Sequence, residues 1–190
     1  MNSMSKGNWQ DEKDCGCKKE KEDCRKKEKE DEVLLKCKTG FPVTIPFSLT
    51  TPTSFTLNTL TLKTERFCNP CIKFEFASNI VTTGAEVTLE FQILKQCRRQ
   101  TTPTAIGPVW IFSRTPIAID PAPALPVGNT GADAFTFIVC DCDCEDDSCF
   151  DECCTYTVVV TATETGAAGT TVINNPTFSA LVVENKCHCS

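Results

Sequence analysis

Through most of this chain, apolar side chains return at every second residue. In residues 86–93, Val87, Leu89, Phe91 and Ile93 fall on one side, with Glu86, Thr88, Glu90 and Gln92 between them. Cys71-Ile72-Lys73-Phe74-Glu75-Phe76 alternates in the same way, as do Phe135, Phe137 and Val139. A period of two is the pattern of half-buried strands, and no stretch of the body carries a convincing helical period. Residues 53–62 also alternate but slip register between Leu57 and Leu60, which predicts a β-bulge near Asn58. Residues 155–161 read as a β-branched strand, residues 177–183 as the last strand, and residues 108–114 as a shorter, buried one. Residues 41–47 carry two prolines, which suits an edge strand. Thr83-Gly84 and residues 166–169 are turn signals, and residues 115–132 read as a Pro, Ala and Gly-rich loop. The sequence therefore predicts an all-β fold, a jelly-roll-like β-sandwich of about eight strands in two four-stranded sheets.

The first residues do not belong to this pattern. Residues 1–36 form a charged arm, dense in Lys and Glu from Asp11 to Glu32, and residues 37–190 form the sandwich domain; strand-like residues begin at Val33. An arm this poor in apolar side chains cannot offset its ordering entropy, so it is expected to be flexible. Residues 1–38 hold 11 of the 19 Lys/Arg and 10 of the 25 Asp/Glu, which leaves an acidic body in a chain of net charge −6. An acidic body argues against a nucleic-acid partner, whose phosphates call for a basic face. The amino terminus lacks the apolar region of a secretory signal peptide, and no apolar run is long enough for a membrane span.

Fifteen cysteines in 190 residues are many for a reducing compartment, and the number is odd. A chain suited to oxidation but without an export signal is expected to meet oxidising surroundings late, for instance after lysis of the cell that made it. Cys15, Cys17 and Cys24 lie on the arm, where no core can hold them and another molecule can be reached. Residues 140–154 hold six cysteines and seven carboxylates with no basic residue, which suits either cross-linking or metal. Cys153 and Cys154 are adjacent and point to opposite faces of an extended strand, so that one could face the core and the other a neighbouring subunit. These two, with the three arm cysteines, are the candidates for bonds between subunits. Cys37, Cys68, Cys71, Cys97, Cys140 and Cys187 are the candidates for bonds within the domain. A strand rather than a helix follows Cys68-Asn69-Pro70-Cys71, which argues against a thioredoxin-like redox site, and the motif's context favours a local disulfide over half a zinc site. The alternative ligand set for zinc or copper is Cys142, Cys144, Cys149, Cys187, His188 and Cys189. Its spacing lacks the paired knuckles of a zinc ribbon, and the acidic middle lacks the glycine of an EF-hand loop. The single histidine, His188, stands next to the terminus and offers no packed Cys–His pair, so no enzymatic activity and no cofactor are expected.

Four segments carry a resemblance: Phe67-Cys68-Asn69-Pro70-Cys71-Ile72-Lys73-Phe74, the strand ending Ile93-Leu94-Lys95-Gln96-Cys97, the Cys-Asp-Cys run, and the final Val-Val-Glu-Asn-Lys-Cys. Over residues 33–190 these resemble an uncharacterised cysteine-containing β-domain family of spore-forming anaerobes. In architecture, a cysteine-bearing arm on a jelly-roll-sized body is similar to endospore appendage subunits. That likeness implies subunits paired edge to edge into fibres, with Cys15, Cys17 and Cys24 locking the arm to a neighbour. The dense Lys/Glu arm and the larger cysteine count depart from the appendage pattern. The expectation is a self-assembling, disulfide-cross-linked structural subunit of a spore-surface fibre or coat, located outside the cell after mother-cell lysis. Its partners would be copies of itself and other spore-surface proteins. The alternatives are a zinc- or copper-sequestering protein and a β-sandwich adhesin.

Overall fold

The computed structural model describes residues 33–65, 67, 70–98, 100–115, 130–142, 153–165 and 169–184. Nine strands lie among them: β1 (Val33–Thr39), β2 (Val43–Ile45), β3 (Thr53–Lys63), β4 (Pro70–Thr83), β5 (Val87–Cys97), β6 (Thr104–Arg114), β7 (Thr130–Cys142), β8 (Cys153–Thr165) and β9 (Thr170–Glu184). One sheet has the order β1-β9-β4-β7 with β2 also on β9, and the other has the order β3-β8-β5-β6. All pairings are antiparallel.

β1 and β2 occupy successive stretches of the same edge of β9, so together they fill one strand position. The pairings then nest: β5 with β6, β4 with β7, β3 with β8, and β1/β2 with β9. A chain doubled back on itself and rolled into two layers in this way is an eight-position jelly roll. The first sheet thus has five strands rather than the expected four, because Gly40-Phe41-Pro42 breaks the edge strand into two pieces. β1 starts at Val33, so Val33–Lys36 belong to the sheet and not to the arm.

The core lies between the layers and follows the alternation. Ile72, Phe74, Phe76 and Ile80 of β4 face Val87, Leu89, Phe91 and Ile93 of β5, and Tyr156, Val158 and Val160 of β8 and Phe178 of β9 complete the packing. Phe74 lies 4.6 Å from Tyr156 and 5.4 Å from Phe178, ring centre to ring centre. A second aromatic group closes the side where β6 meets β7: Trp110 stacks on Phe137 at 4.1 Å, and Phe91 lies 4.4 Å from Phe135. The Arg114 guanidinium bonds Asp133 across the same gap.

The pairing of the second sheet shifts register at three places, one of them between Thr88 and Leu89 where β5 meets β8. The β3 register shifts between Thr56 and Asn58, at the position the sequence predicts. On β6 the pairing passes from Trp110 to Ile106, which leaves Gly107, Pro108 and Val109 outside the ladder. Gly107 has φ +68°, and a Cβ there would meet the Val139 side chain, so this position needs glycine. The bulge also holds the proline, which has no N–H to donate to a ladder. β6 is accordingly an edge strand, longer than expected and not buried on both sides: Val109 and Ile111 are exposed.

Candidate functional site

Strand parity sorts the described cysteines between the two sides of each sheet. Cys97 continues the inward series of Val87, Leu89, Phe91 and Ile93, and Cys154 that of Tyr156, Val158 and Val160. The two are direct partners across β5 and β8, and they form a buried disulfide with Cα atoms 4.0 Å apart. Cys71, Cys140 and Cys142 have the opposite parity to Phe74, Phe76, Phe135 and Phe137, so they stand on the outer face of the first sheet. Cys71 is directly opposite Cys142 across β4 and β7, and these form a second disulfide with a Cα separation of 4.2 Å.

The next row of that face runs Leu35, Leu181, Lys73, Cys140, and the one beyond it Cys37, Ser179, Glu75, Ile138. Cys37 and Cys140 are exposed, free thiols on the two edges of the sheet. Lys73 donates to Glu75 Oε1 at 2.6 Å. The Lys73 pKa is raised, first by that hydrogen bond and the Glu75 charge and, to a lesser degree, by the charge of Cys140. Behind the face, Lys95 pairs with the half-buried Asp141 at 2.9 Å and ties β5 to β7. Val33, Leu35 and Ile138 leave apolar surface exposed on the same face.

Several expectations change. Cys154 is bonded inside the chain rather than to a neighbouring subunit, because its parity turns it into the core opposite Cys97. Cys153 is buried and disulfide-bonded within the chain as well. Cys71 is bridged to Cys142 and not to Cys68, since the nested topology puts β7 beside the start of β4. Cys142 is therefore a disulfide sulfur and not a metal ligand. Cys37 and Cys140, expected to bond within the domain, are unpaired. Cys15, Cys17, Cys24, Cys68, Cys144, Cys149, Cys187, His188 and Cys189 lie outside the described residues. Among the described residues, no group of three or more His, Cys, Asp or Glu side chains is placed to hold a metal ion. No helix among them is long and apolar enough to cross a membrane.

The signature of DUF4489, a domain of unknown function, matches residues 31–183. The chain belongs to the DUF4489 family. The match begins close to β1 and ends within β9, so the family's domain coincides with the sandwich. No curated protein matches in sequence. Solved structures similar to this DUF4489 domain include that of infectious bursal disease virus Gx strain, with 10% identity over 83% of this chain and 35% of that chain and a TM-score of 0.47. Another is the infectious bursal disease virus VP2 subviral particle, with 12% identity, 80% and 41% coverage and a TM-score of 0.23. This chain therefore spans well under half the length of either. Both likenesses are distant, and the jelly-roll assignment rests on the strand pairing itself.

Proposed function

We propose that this DUF4489 protein is a self-assembling structural subunit of a disulfide-cross-linked fibre or coat on the spore surface. The observation that carries the reading is the placement of Cys37 and Cys140. Both are exposed thiols on one face, separated by three strand spacings, about 14 Å across the sheet at roughly 4.8 Å each. A disulfide spans at most about 7 Å between Cα atoms. The two thiols therefore cannot bond each other and are set out for other partners, of which a second subunit is the one proposed. Among the described residues, the edge strands β1/β2, β3, β6 and β7 have an unpaired side, the kind of strand that templates pairing between molecules. Head-to-tail contacts of that type propagate as filaments. The arm cysteines Cys15, Cys17 and Cys24 would add further ties to neighbours. Exposure after mother-cell lysis would supply the oxidising surroundings that such bonds need.

Electrophoresis in hot detergent tests this. Wild-type protein, allowed to assemble in air, should run as high-molecular-weight species without reductant and as monomer with it. The double variant Cys37→Ser/Cys140→Ser should lose at least half of the cross-linked material while keeping its fold. Cross-linked material unchanged in the double variant would refute the role given to these two thiols.

A further inference from the structure

The free thiol of Cys140 does not stand alone. It lies two residues from Cys142 on the same outward face of β7, next to a disulfide that solvent can reach: Cys142 is exposed and Cys71 half-buried. Lys73 is directly across from Cys140 in the ladder, with its ammonium bonded to Glu75. β7 is the edge strand of its sheet, and its ladder to β4 ends at the Cys71–Cys142 pair. Among the described residues that end of the strand pairs with β4 alone, and the Lys95–Asp141 ion pair is its tie to β5.

We propose that Cys140 and the Cys71–Cys142 bridge form a thiol–disulfide exchange site that moves the reactive thiol between Cys140 on β7 and Cys71 on β4. The Cys140 thiol gives its proton to water, and its sulfur attacks Cys142 Sγ. The Cys140–Cys142 bond forms as the Cys71–Cys142 bond breaks. The electron pair leaves on Cys71 Sγ, which takes up a proton from water. One thiol and one disulfide stand on each side, so no oxidant or reductant is consumed. Geometry decides which sulfur is attacked. Same-face neighbours two apart on a strand have Cα atoms about 6.6–6.8 Å apart, the upper end of what a disulfide spans. Cys71 is only a diagonal neighbour of Cys140, at about 7–8 Å, beyond that span. The leaving group is therefore Cys71, and the Cys140–Cys142 form is the minor one. The reaction is intrachain, so it holds for a monomer and does not depend on assembly.

The test is alkylation of the folded full-length protein under argon with a concentration series of iodoacetamide, followed by peptide mapping. At the lowest reagent concentrations, label should appear on Cys71 together with a Cys140–Cys142 bridge, and Cys140→Ser should reduce the Cys71 label at least tenfold. Cys142 should stay unlabelled throughout. Label confined to Cys140 with the Cys71–Cys142 bridge intact at every concentration overturns the proposal. So does a Cys71 label that persists in Cys140→Ser, because the bridge would then open by another route.

Discussion

Phe74 is fully buried, and its ring touches residues of both layers, Tyr156 on β8 and Phe178 on β9. Phe74→Ala should lower the unfolding free energy by about 3–5 kcal/mol, since it leaves a cavity that neighbours from two sheets cannot refill. Val33→Ala, on the exposed face, should stay within about 0.5 kcal/mol in the same urea titration. The Cys97–Cys154 bridge joins positions 57 residues apart. Changing both cysteines to Ala should cost about 4 kcal/mol through loop closure in the unfolded chain, read as a lower denaturation midpoint under non-reducing conditions. At this scale the sequence carries the face of each cysteine but not its partner. Cys97 and Cys154 share parity with core residues, and Cys71, Cys140 and Cys142 do not. Which strands lie side by side is a property of the topology, and no spacing along the chain reports it. That is why Cys154 stands among the candidates for bonds between subunits and is found bonded to Cys97 in the core.

The corner formed by β1, β3 and β9 depends on one buried amide. Asn58 Nδ2 donates to the carbonyls of Lys38 at 2.8 Å and Pro176 at 3.1 Å, and Asn58 Oδ1 accepts from the Thr59 N–H at 2.8 Å. Gly40 N–H donates to the same Pro176 carbonyl at 2.7 Å. The bulge puts this side chain on the inward face in phase with Leu60 and Leu62, from where it reaches the other sheet. Asn58→Ala should cost about 2–3 kcal/mol, because carbonyls in the corner lose a donor. Asn58→Asp should cost more, because it sets a carboxylate oxygen against two carbonyl oxygens. Thermal unfolding of the two variants, compared at one pH near neutrality, checks the order. The bulge itself is legible as the slip between Leu57 and Leu60. The bonds it serves are not, since they require β1 and β9 to be in place. β6 shows the opposite limit: its run of apolar residues reads as buried, while the Gly107–Val109 bulge and its edge position expose Val109 and Ile111.

For the whole molecule, the proposed division of labour is that the sandwich folds and the exposed thiols connect. Removing residues 1–32, all of which precede β1, should leave a folded domain with an unchanged β-type circular dichroism spectrum. The truncated protein should form less detergent-resistant polymer, because the arm thiols would be gone. Unchanged polymer from the truncated chain would confine the connecting role to the sandwich. The all-β class and the jelly-roll outline are legible in the alternation, because a period of two leaves few other architectures. The proposed assembly is not, because it would depend on surfaces meeting between molecules. The most direct measurement is a disulfide map of assembled protein made from equal parts of unlabelled and nitrogen-15-labelled chains, since only bonds between chains give mixed-isotope peptide pairs. Mixed pairs containing Cys37 or Cys140 are predicted, with Cys97–Cys154 recovered only as unmixed pairs. Assembled material in which Cys37 and Cys140 are both recovered as free thiols, or only in unmixed pairs, would contradict a subunit cross-linked through this face.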